Sequence, residues 1–408
     1  MNDIEWSGDT MSKPVKIAQV GCGSVAQRGT LAHLALDDVK GRVRLVATMD
    51  PVAERARACM EKFEAEEWYD DYDRMLAEAD IDAVTIASPI GVHYEQVMKA
   101  IASGKNVHCN KTITTTAKEA TDIIEGAKKR GIKVVSSPGN SARQPAVRRT
   151  KNLIKEGIIG KVYMAQRGGG FSGHEYEGFR SPDNIVASVD PAWYYKKDGG
   201  PMYDYGVYLL HEVTAILGPA KNVTAMSGIG LKERVFKGKK IPVEMDDNTL
   251  LLLDFGESTF AYLFATFSVY LDGCPLSISG SEGAIRVTEH GRLEVMSNRI
   301  PKGRRTEELS YEGTLPYVEQ LGLAHTAWRL PPRERESMRK SLGLKALPEE
   351  THVFDDVMHL VHCIENDVEP IVVDNIESMQ HARHVIEIIE KGYIAAKTGR
   401  TQKLTTIF

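Results

Sequence analysis

Asp204, Tyr208 and His211 place a carboxylate, a phenol and an imidazole at positions i, i+4 and i+7 of one helical pattern. That spacing puts all three on a single helix face. Such a stripe can take, hold and return a proton. It equally suits ordinary buried residues with satisfied hydrogen bonds, and the rest of the chain must decide between the two. Gly199-Gly200-Pro201 turns the chain into this helix, and Val207, Leu210, Ile216 and Leu217 supply its buried side. Gly206 sits inside it at a cost of about 1 kcal/mol relative to alanine. A glycine there points to something packed close against the backbone. Lys111, in Asn110-Lys111-Thr112, is the next candidate. A lone lysine is usually a solvated charge. At the mouth of a nucleotide crevice it can instead lower the pKa of a hydroxyl or stabilise an alkoxide.

The elements that would position these groups follow from periodicity. Val15–Val20 reads as a buried strand, followed at once by Gly21-Cys22-Gly23-Ser24-Val25-Ala26 and a helix through Leu36. Strand, glycine turn and helix is the setting in which GxGxxA binds a dinucleotide, its pyrophosphate at the helix N-terminus. The strand 43–49 ends at Asp50. A carboxylate there hydrogen-bonds a free 2′-hydroxyl and repels a 2′-phosphate, which favours NAD over NADP. Asp50 also reads as a turn residue before Pro51. Helices at 53–63, 72–79, 93–103 and 117–130 then alternate with strands near 68–70, 83–87, 106–109 and 133–136. That alternation implies a doubly wound parallel α/β sheet. Gly21, Asp50, Ser88, Asn110 and Asn140 all fall at or just after strand ends, where such sheets bind ligands.

Beyond Asn140 the pattern changes. A helix at 145–156 and a strand at 160–169 lead into an irregular stretch, 171–195, rich in His174, Glu175, Arg180, Trp193, Tyr194 and Tyr195. Aromatic faces beside polar groups suit a carbohydrate, or a packing loop. Strands at 222–229, 249–255, 258–270, 276–280, 284–288 and 292–296 imply a large, open, mostly antiparallel sheet. A one-faced sheet of that size needs a cover, which self-association would provide. Helices at 352–366 and 376–398 close the chain. The expected organisation is a loose extension at 1–12, a dinucleotide domain at 13–139 and a substrate and oligomerisation domain at 140–408, with a charged insertion at 297–350.

A chain of 408 residues is long enough for two cores. Its net charge of -5 gives no sign of a nucleic-acid surface. Five scattered cysteines form no CxxC pair, and no apolar run reaches the roughly 20 residues that span a bilayer. The expectation is a soluble, cytoplasmic protein. The pairs His381/His384 and His359/His362 have metal-ligand spacing but no matching carboxylates or thiols, so no metal is expected.

In order and spacing, the chain resembles the glucose-fructose oxidoreductase/inositol dehydrogenase family (Gfo/Idh/MocA). The resemblance rests on Gly21-Cys22-Gly23-Ser24-Val25-Ala26, Ser88-Pro89 with His93, Gly104-Lys105-Asn106-Val107 leading to Asn110-Lys111-Thr112, and Asn140, Arg143 and Pro145. Glu156 to Val162, Gly199-Gly200 with Asp204, Gly206 and Tyr208, and Gly280-Ser281-Glu282-Gly283 complete it. Asn110 and Thr112 stand where the family has glutamate and proline, and Tyr208 stands in its histidine place. The resemblance implies a Rossmann domain, an α/β domain whose open sheet forms homodimers or homotetramers, and NAD-linked chemistry at a sugar, glycoside or cyclitol carbon. It implies Lys111, Tyr208, Asp204 and His211 as catalytic. Gly21, Gly23, Ser24, Val25, Ala26, Asp50, Ser88, Pro89, His93, Asn110, Lys111 and Asn140 would hold the cofactor. His174, Arg180, Trp193, Tyr194 and His211 would meet the substrate. A cofactor-binding regulator without turnover and an NAD-dependent glycoside hydrolase are the alternatives.

Overall fold

The computed structural model describes residues 13–35, 39–177, 190–269, 274–288, 292–307 and 355–408. Its first sheet holds β1 (Val15–Val20), β2 (Val43–Met49), β3 (Glu67–Tyr69), β4 (Ala83–Ile86), β5 (Asn106–Cys109) and β6 (Val134–Ser136). All neighbours are parallel and the order is β3-β2-β1-β4-β5-β6. The order reverses between β1 and β4, which opens a crevice at the carboxyl ends of the strands. β4 is buried along its whole length, as a sheet covered on both faces requires.

Helices α1 (Leu31–Leu34), α2 (Ala53–Phe63), α3 (Tyr72–Glu78), α4 (His93–Ala102) and α5 (Ala117–Arg130) make the crossovers. Local chemistry sets their ends. The Asp71 carboxylate accepts from Arg74 N at 2.7 Å and the Thr116 hydroxyl from Glu119 N at 3.3 Å, so each caps a helix start. α1 is shorter than the sequence suggests. A π-helical turn, Ala26–Thr30, precedes it, and Leu36 lies outside the described residues.

Two helices, α6 (Gly139–Arg143) and α7 (Pro145–Lys155), lead to the second sheet. β7 (Val162–Gly170) enters it, and α8 (Val207–Leu217) runs beneath it. Then follow β8 (Asn222–Gly228), β9 (Glu233–Phe236), β10 (Lys239–Pro242), β11 (Asn248–Gly256), β12 (Thr259–Thr266), β13 (Cys274–Gly280), β14 (Gly283–Val287), β15 (Leu293–Ser297) and β16 (Arg304–Glu307). After the gap in the description come α9 (Asp355–Glu365), β17 (Ile371–Val373), β18 (Ile376–Glu377), α10 (Ser378–Thr398) and β19 (Gln402–Lys403). The second sheet has nine strands in the order β16-β15-β14-β13-β7-β12-β11-β8-β19, and among these the β7–β12 pair is parallel. β11 alternates, with Leu251 and Leu253 buried against Val207, Leu210, Val385 and Ile389 of α8 and α10. Its other face is open. There Met226, Leu250 and Phe264 form one cross-strand row, and Phe260 pairs with Met164 in another. Met226 is 77% exposed and Leu252 49%.

Several features depart from the sequence reading. The β9–β10 hairpin was not expected, because its charged residues mask the alternation. Lys237 and Gly238 both take positive φ at its turn, as a two-residue hairpin favours. The start of the expected charged insertion is an ordered edge strand, β16, paired with β15. Residues 308–354 lie outside the described residues. The C-terminal part also crosses back to the first sheet. Val357, Leu360 and Val361 of α9 join Ile17, Leu31 and Ala83 in one apolar cluster. Buried Arg143 donates to Asp356 on α9, and Ser137 Oγ donates to Asp356 Oδ2 at 2.8 Å. Residue 140 is therefore not a clean division of the packing.

Candidate active site

Lys111 and Asp204 meet between the two sheets. Lys111 follows β5, and its backbone N–H donates to Asn110 Oδ1 at 2.7 Å. The Lys111–Thr112 peptide is cis. Asp204 lies in a π-helical turn, Met202–Gly206, that runs directly into α8. Lys111 Nζ donates to the Asp204 backbone carbonyl at 2.7 Å and to its carboxylate Oδ1. The Tyr208 ring centre is 5.2 Å from the same ammonium. Tyr203 OH donates to Thr115 O at 2.9 Å, a second tie between the turn and the loop after β5. Gly206 is needed here, because Met202 Sδ occupies the place of an added side chain and Ala265 packs close behind.

Electrostatics couple the group. Burial penalises each charged form, but Asp204 and Tyr208 hold the Lys111 ammonium well above its ordinary pKa. Burial likewise opposes the Asp204 charge, yet Lys111 and His174 keep its carboxyl below the usual carboxylate range. For Tyr208 burial wins: its pKa is raised, although Lys111 pulls it down. The phenol is thus protonated as the site stands.

His211 does not join this cluster. The π turn adds a residue to the helical repeat, so the i, i+4, i+7 stripe is not preserved through it. The His211 Nδ1 donates to the Val207 carbonyl at 2.8 Å, and its ring packs 4.6 Å from that of His381. Burial lowers its pKa to about 4, so it is a neutral core residue. His93 is also corrected. It is fully buried, with Nδ1 2.7 Å from Thr112 O and Nε2 2.8 Å from Ser88 O. It fastens the loop that carries Lys111 to the end of β4, both ring nitrogens being taken up by backbone carbonyls.

The aromatic stretch does come to the site. His174 Nε2 is 3.0 Å from Asp204 Oδ2, Tyr194 stacks on the His174 ring, and Trp193 stacks on Tyr194. Arg180 lies outside the described residues. The link between His174 and Asp204 was not legible, because 30 residues separate them and no spacing rule connects a loop to a helix turn.

The nucleotide crevice has the features a dinucleotide needs. Gly21 takes φ +80, and an added Cβ would stand 2.8 Å from Ser88 N. The turn is braced from within, since Cys22 N donates to Asp50 Oδ2 at 2.9 Å and Gln27 Nε2 to Cys22 O at 2.8 Å. Asp50 Oδ1 accepts from Val52 N at 2.9 Å and from Arg55 at 3.0 Å, so the turn role is real alongside any cofactor role. Ser24 Oγ and Asn140 Oδ1 are buried with no hydrogen-bond partner, which fits a polar ligand held against them. Gly23, Val25 and Ser88 are partly exposed and Pro89 is exposed, while Ala26 and Asn110 are buried. Among the described residues no group of three or more His, Cys, Asp or Glu could hold a metal ion. His359 is engaged with Arg143, and His384 Nε2 accepts from Ala220 N. No described helix is long and apolar enough to cross a membrane.

This combination, a classical-order Rossmann sheet whose Lys111 meets Asp204 from a second sheet domain, is the arrangement of a nucleotide-binding α/β protein with a site at the seam between its two sheets. Comparison with known proteins agrees. The model for the oxidoreductase family with NAD-binding Rossmann fold, Gfo/Idh/MocA, matches residues 15–137, and that family's C-terminal domain matches residues 147–286. The chain belongs to the Gfo/Idh/MocA family. D-glucoside 3-dehydrogenase of Escherichia coli (strain K12) is 26% identical over 223 residues, 53% of this chain and 58% of the relative. The chain thus spans a little over half of that relative's length. Levoglucosan dehydrogenase of Pseudarthrobacter phenanthrenivorans is 24% identical over 310 residues, covering 71% of this chain and 75% of the relative. A solved structure of levoglucosan dehydrogenase with NADH and levoglucosan superposes with a TM-score of 0.73 at 19% identity, over 96% of this chain and 100% of that one. That likeness shows the shared fold.

The crevice yields a direct expectation. Gly21→Ala forces a side chain into the left-handed region and against the β4 backbone, where it should weaken NADH binding at least about tenfold and cost about 1–2 kcal/mol of stability. Fluorescence titration with NADH, beside urea unfolding, checks this. Unchanged binding would remove the glycine turn from the cofactor site.

Proposed function

We propose that the chain is an NAD-dependent dehydrogenase that exchanges a hydride with a secondary hydroxyl or ketone of a sugar, glycoside or cyclitol. The observation that carries this reading is the buried Lys111–Asp204 pair with Tyr208 beside it, at the carboxyl edge of an NAD-binding sheet. NAD, when bound, supplies the two-electron acceptor or, reduced, the donor. Gly21, Gly23, Ser24, Val25, Ala26 and Asp50 would hold it, with Ser88, Pro89, Asn110 and Asn140 along the same crevice. The names of the relatives, a glucoside dehydrogenase and a levoglucosan dehydrogenase, support a carbohydrate substrate. So does the partly exposed Trp193 ring at the end of the His174–Tyr194–Trp193 stack.

In this reading Asp204 keeps Lys111 charged and in place, and the ammonium stabilises the oxygen on which negative charge develops. Tyr208 is the acid and base. Burial raises its pKa, so it stands protonated and is in the form that can give a proton to a ketone oxygen as hydride arrives. In the oxidative direction the deprotonated phenol is the base, so oxidation should gain as pH rises.

The open face of the second sheet supports a homo-oligomer. Met226, Leu250, Leu252 and Phe260 lie exposed along adjacent strands, and a second copy placed there buries both apolar faces at once. Sedimentation should give a dimer or tetramer, and M226K with L252K should give the monomer. A monomeric unmodified chain would refute the assignment.

Tyr208→Phe should lower kcat about 10²- to 10⁴-fold while NADH affinity survives. In the unmodified enzyme, sugar oxidation should accelerate as pH rises toward the tyrosine range. Nicotinamide absorbance with a panel of sugars, glycosides and inositols reads both. Unchanged turnover in the variant would exclude Tyr208 from the chemistry.

A further inference from the structure

Asp204 serves two partners at once. Its Oδ1 and backbone carbonyl hold Lys111, while its Oδ2 faces His174 Nε2 at 3.0 Å. The other ring nitrogen, Nδ1, is 3.1 Å from Glu177 Oε2. The ring cannot turn away. Tyr194 stacks on it with centroids 3.4 Å apart and planes 13° from parallel. Phe171 and Phe267 meet it edge-on at 4.9 Å and 5.0 Å. The line opens to water only at its end: the side chains of Asp204 and His174 are 8% and 6% exposed, and that of Glu177 is 26% exposed. An ionisable ring is therefore fixed between the carboxylate that holds Lys111 and a carboxylate that reaches water.

We propose that His174 is a positioning residue that sets how tightly Asp204 holds Lys111, gaining and losing its proton by way of Glu177. The proposal rests on the reading of Lys111 as the group that steadies the substrate oxygen. With the imidazole neutral, Asp204 turns its charge on Lys111. A hydronium ion gives its proton to the Glu177 carboxylate, breaking one O–H bond and leaving water, and the Glu177 O–H bond then breaks as the Nδ1–H bond of the imidazolium forms. The Asp204 carboxylate is then shared between two cations. The ammonium is freer to approach the substrate oxygen, and the positive potential there rises. Among the described residues, the titratable groups that face His174 are Asp204, Glu177, Tyr194 and Tyr195, with Lys111 behind Asp204; Tyr195 OH accepts from His174 N at 2.9 Å. Burial opposes the imidazolium, but Asp204 and Glu177 outweigh it and raise the pKa above the ordinary histidine value.

The test is an NMR titration of the full-length protein with 13C-labelled histidine, using H174N to assign the signal. If Asp204 is shared, removing the Lys111 charge in K111M should raise the His174 pKa by about one unit, since linkage is reciprocal. E177Q should lower it, and it carries the test by itself if K111M does not fold. A second readout is the pH profile of kcat for ketone reduction. The unmodified enzyme should show a limb that follows the His174 titration, and H174N should lose that limb without a change in KM for NADH. A His174 titration identical in the unmodified protein, K111M and E177Q would overturn the proposal. The titration does not depend on turnover. Coupling without activity on any sugar would sink the proposed function and support the His174 linkage, whereas activity without coupling would sink the His174 proposal alone.

Discussion

The structure depends on one buried ion pair, Lys111 with Asp204. Removing two charges from water costs several kcal/mol per ion, and only close geometry with further hydrogen bonds offsets it. Both conditions are met. The ammonium is held by the Asp204 carbonyl as well as the carboxylate, and the second carboxylate oxygen faces His174. Lys111 comes from the first sheet and Asp204 from the turn beneath the second, so the pair exists only when the two halves are docked. Breaking one partner would leave an uncompensated charge in a buried place, which makes the pair a strict condition on how the halves sit.

Much of the surrounding chain keeps that pair in register. His93 clasps the loops after β4 and β5 through two carbonyls, Asn110 holds the Lys111 amide, and Tyr203 reaches back to Thr115. Gly206 lets Met202 and Ala265 close on the turn. From the far side, Asp356 of α9 joins Arg143 and Ser137 next to the helix that carries Asn140. The chemistry thus lies at a seam whose two sides are braced from within and tied to each other by Tyr203 as well as by the ion pair.

The Rossmann half was legible because each of its signals is local. Val15–Val20, the turn at Gly21 and Gly23, and the helices 53–63 and 117–130 appear with the bounds their periodicity implies. Lys111, Asp204 and Tyr208 could be nominated from residue type and position. What escaped was whatever depends on distant packing or on irregular backbone. The π turn at Met202–Gly206 cannot be told from an α-helix by spacing, and it moved His211 from the proposed site into the core. The role of His93 follows from two carbonyls, which no side-chain pattern reveals. The β9–β10 hairpin is stabilised through a buried Arg234 paired with Glu175 and Asp247, so its inward residue looks like a surface charge in the sequence.

The most direct measurement of the central claim is a double-mutant cycle on Lys111 and Asp204, read as kcat/KM for NAD-linked oxidation of the best sugar. If the pair acts as one unit, K111M and D204N should each cost activity heavily, and the double variant should be no worse than the poorer single one. Losses that multiply would mean that the two residues act separately, and would contradict the account.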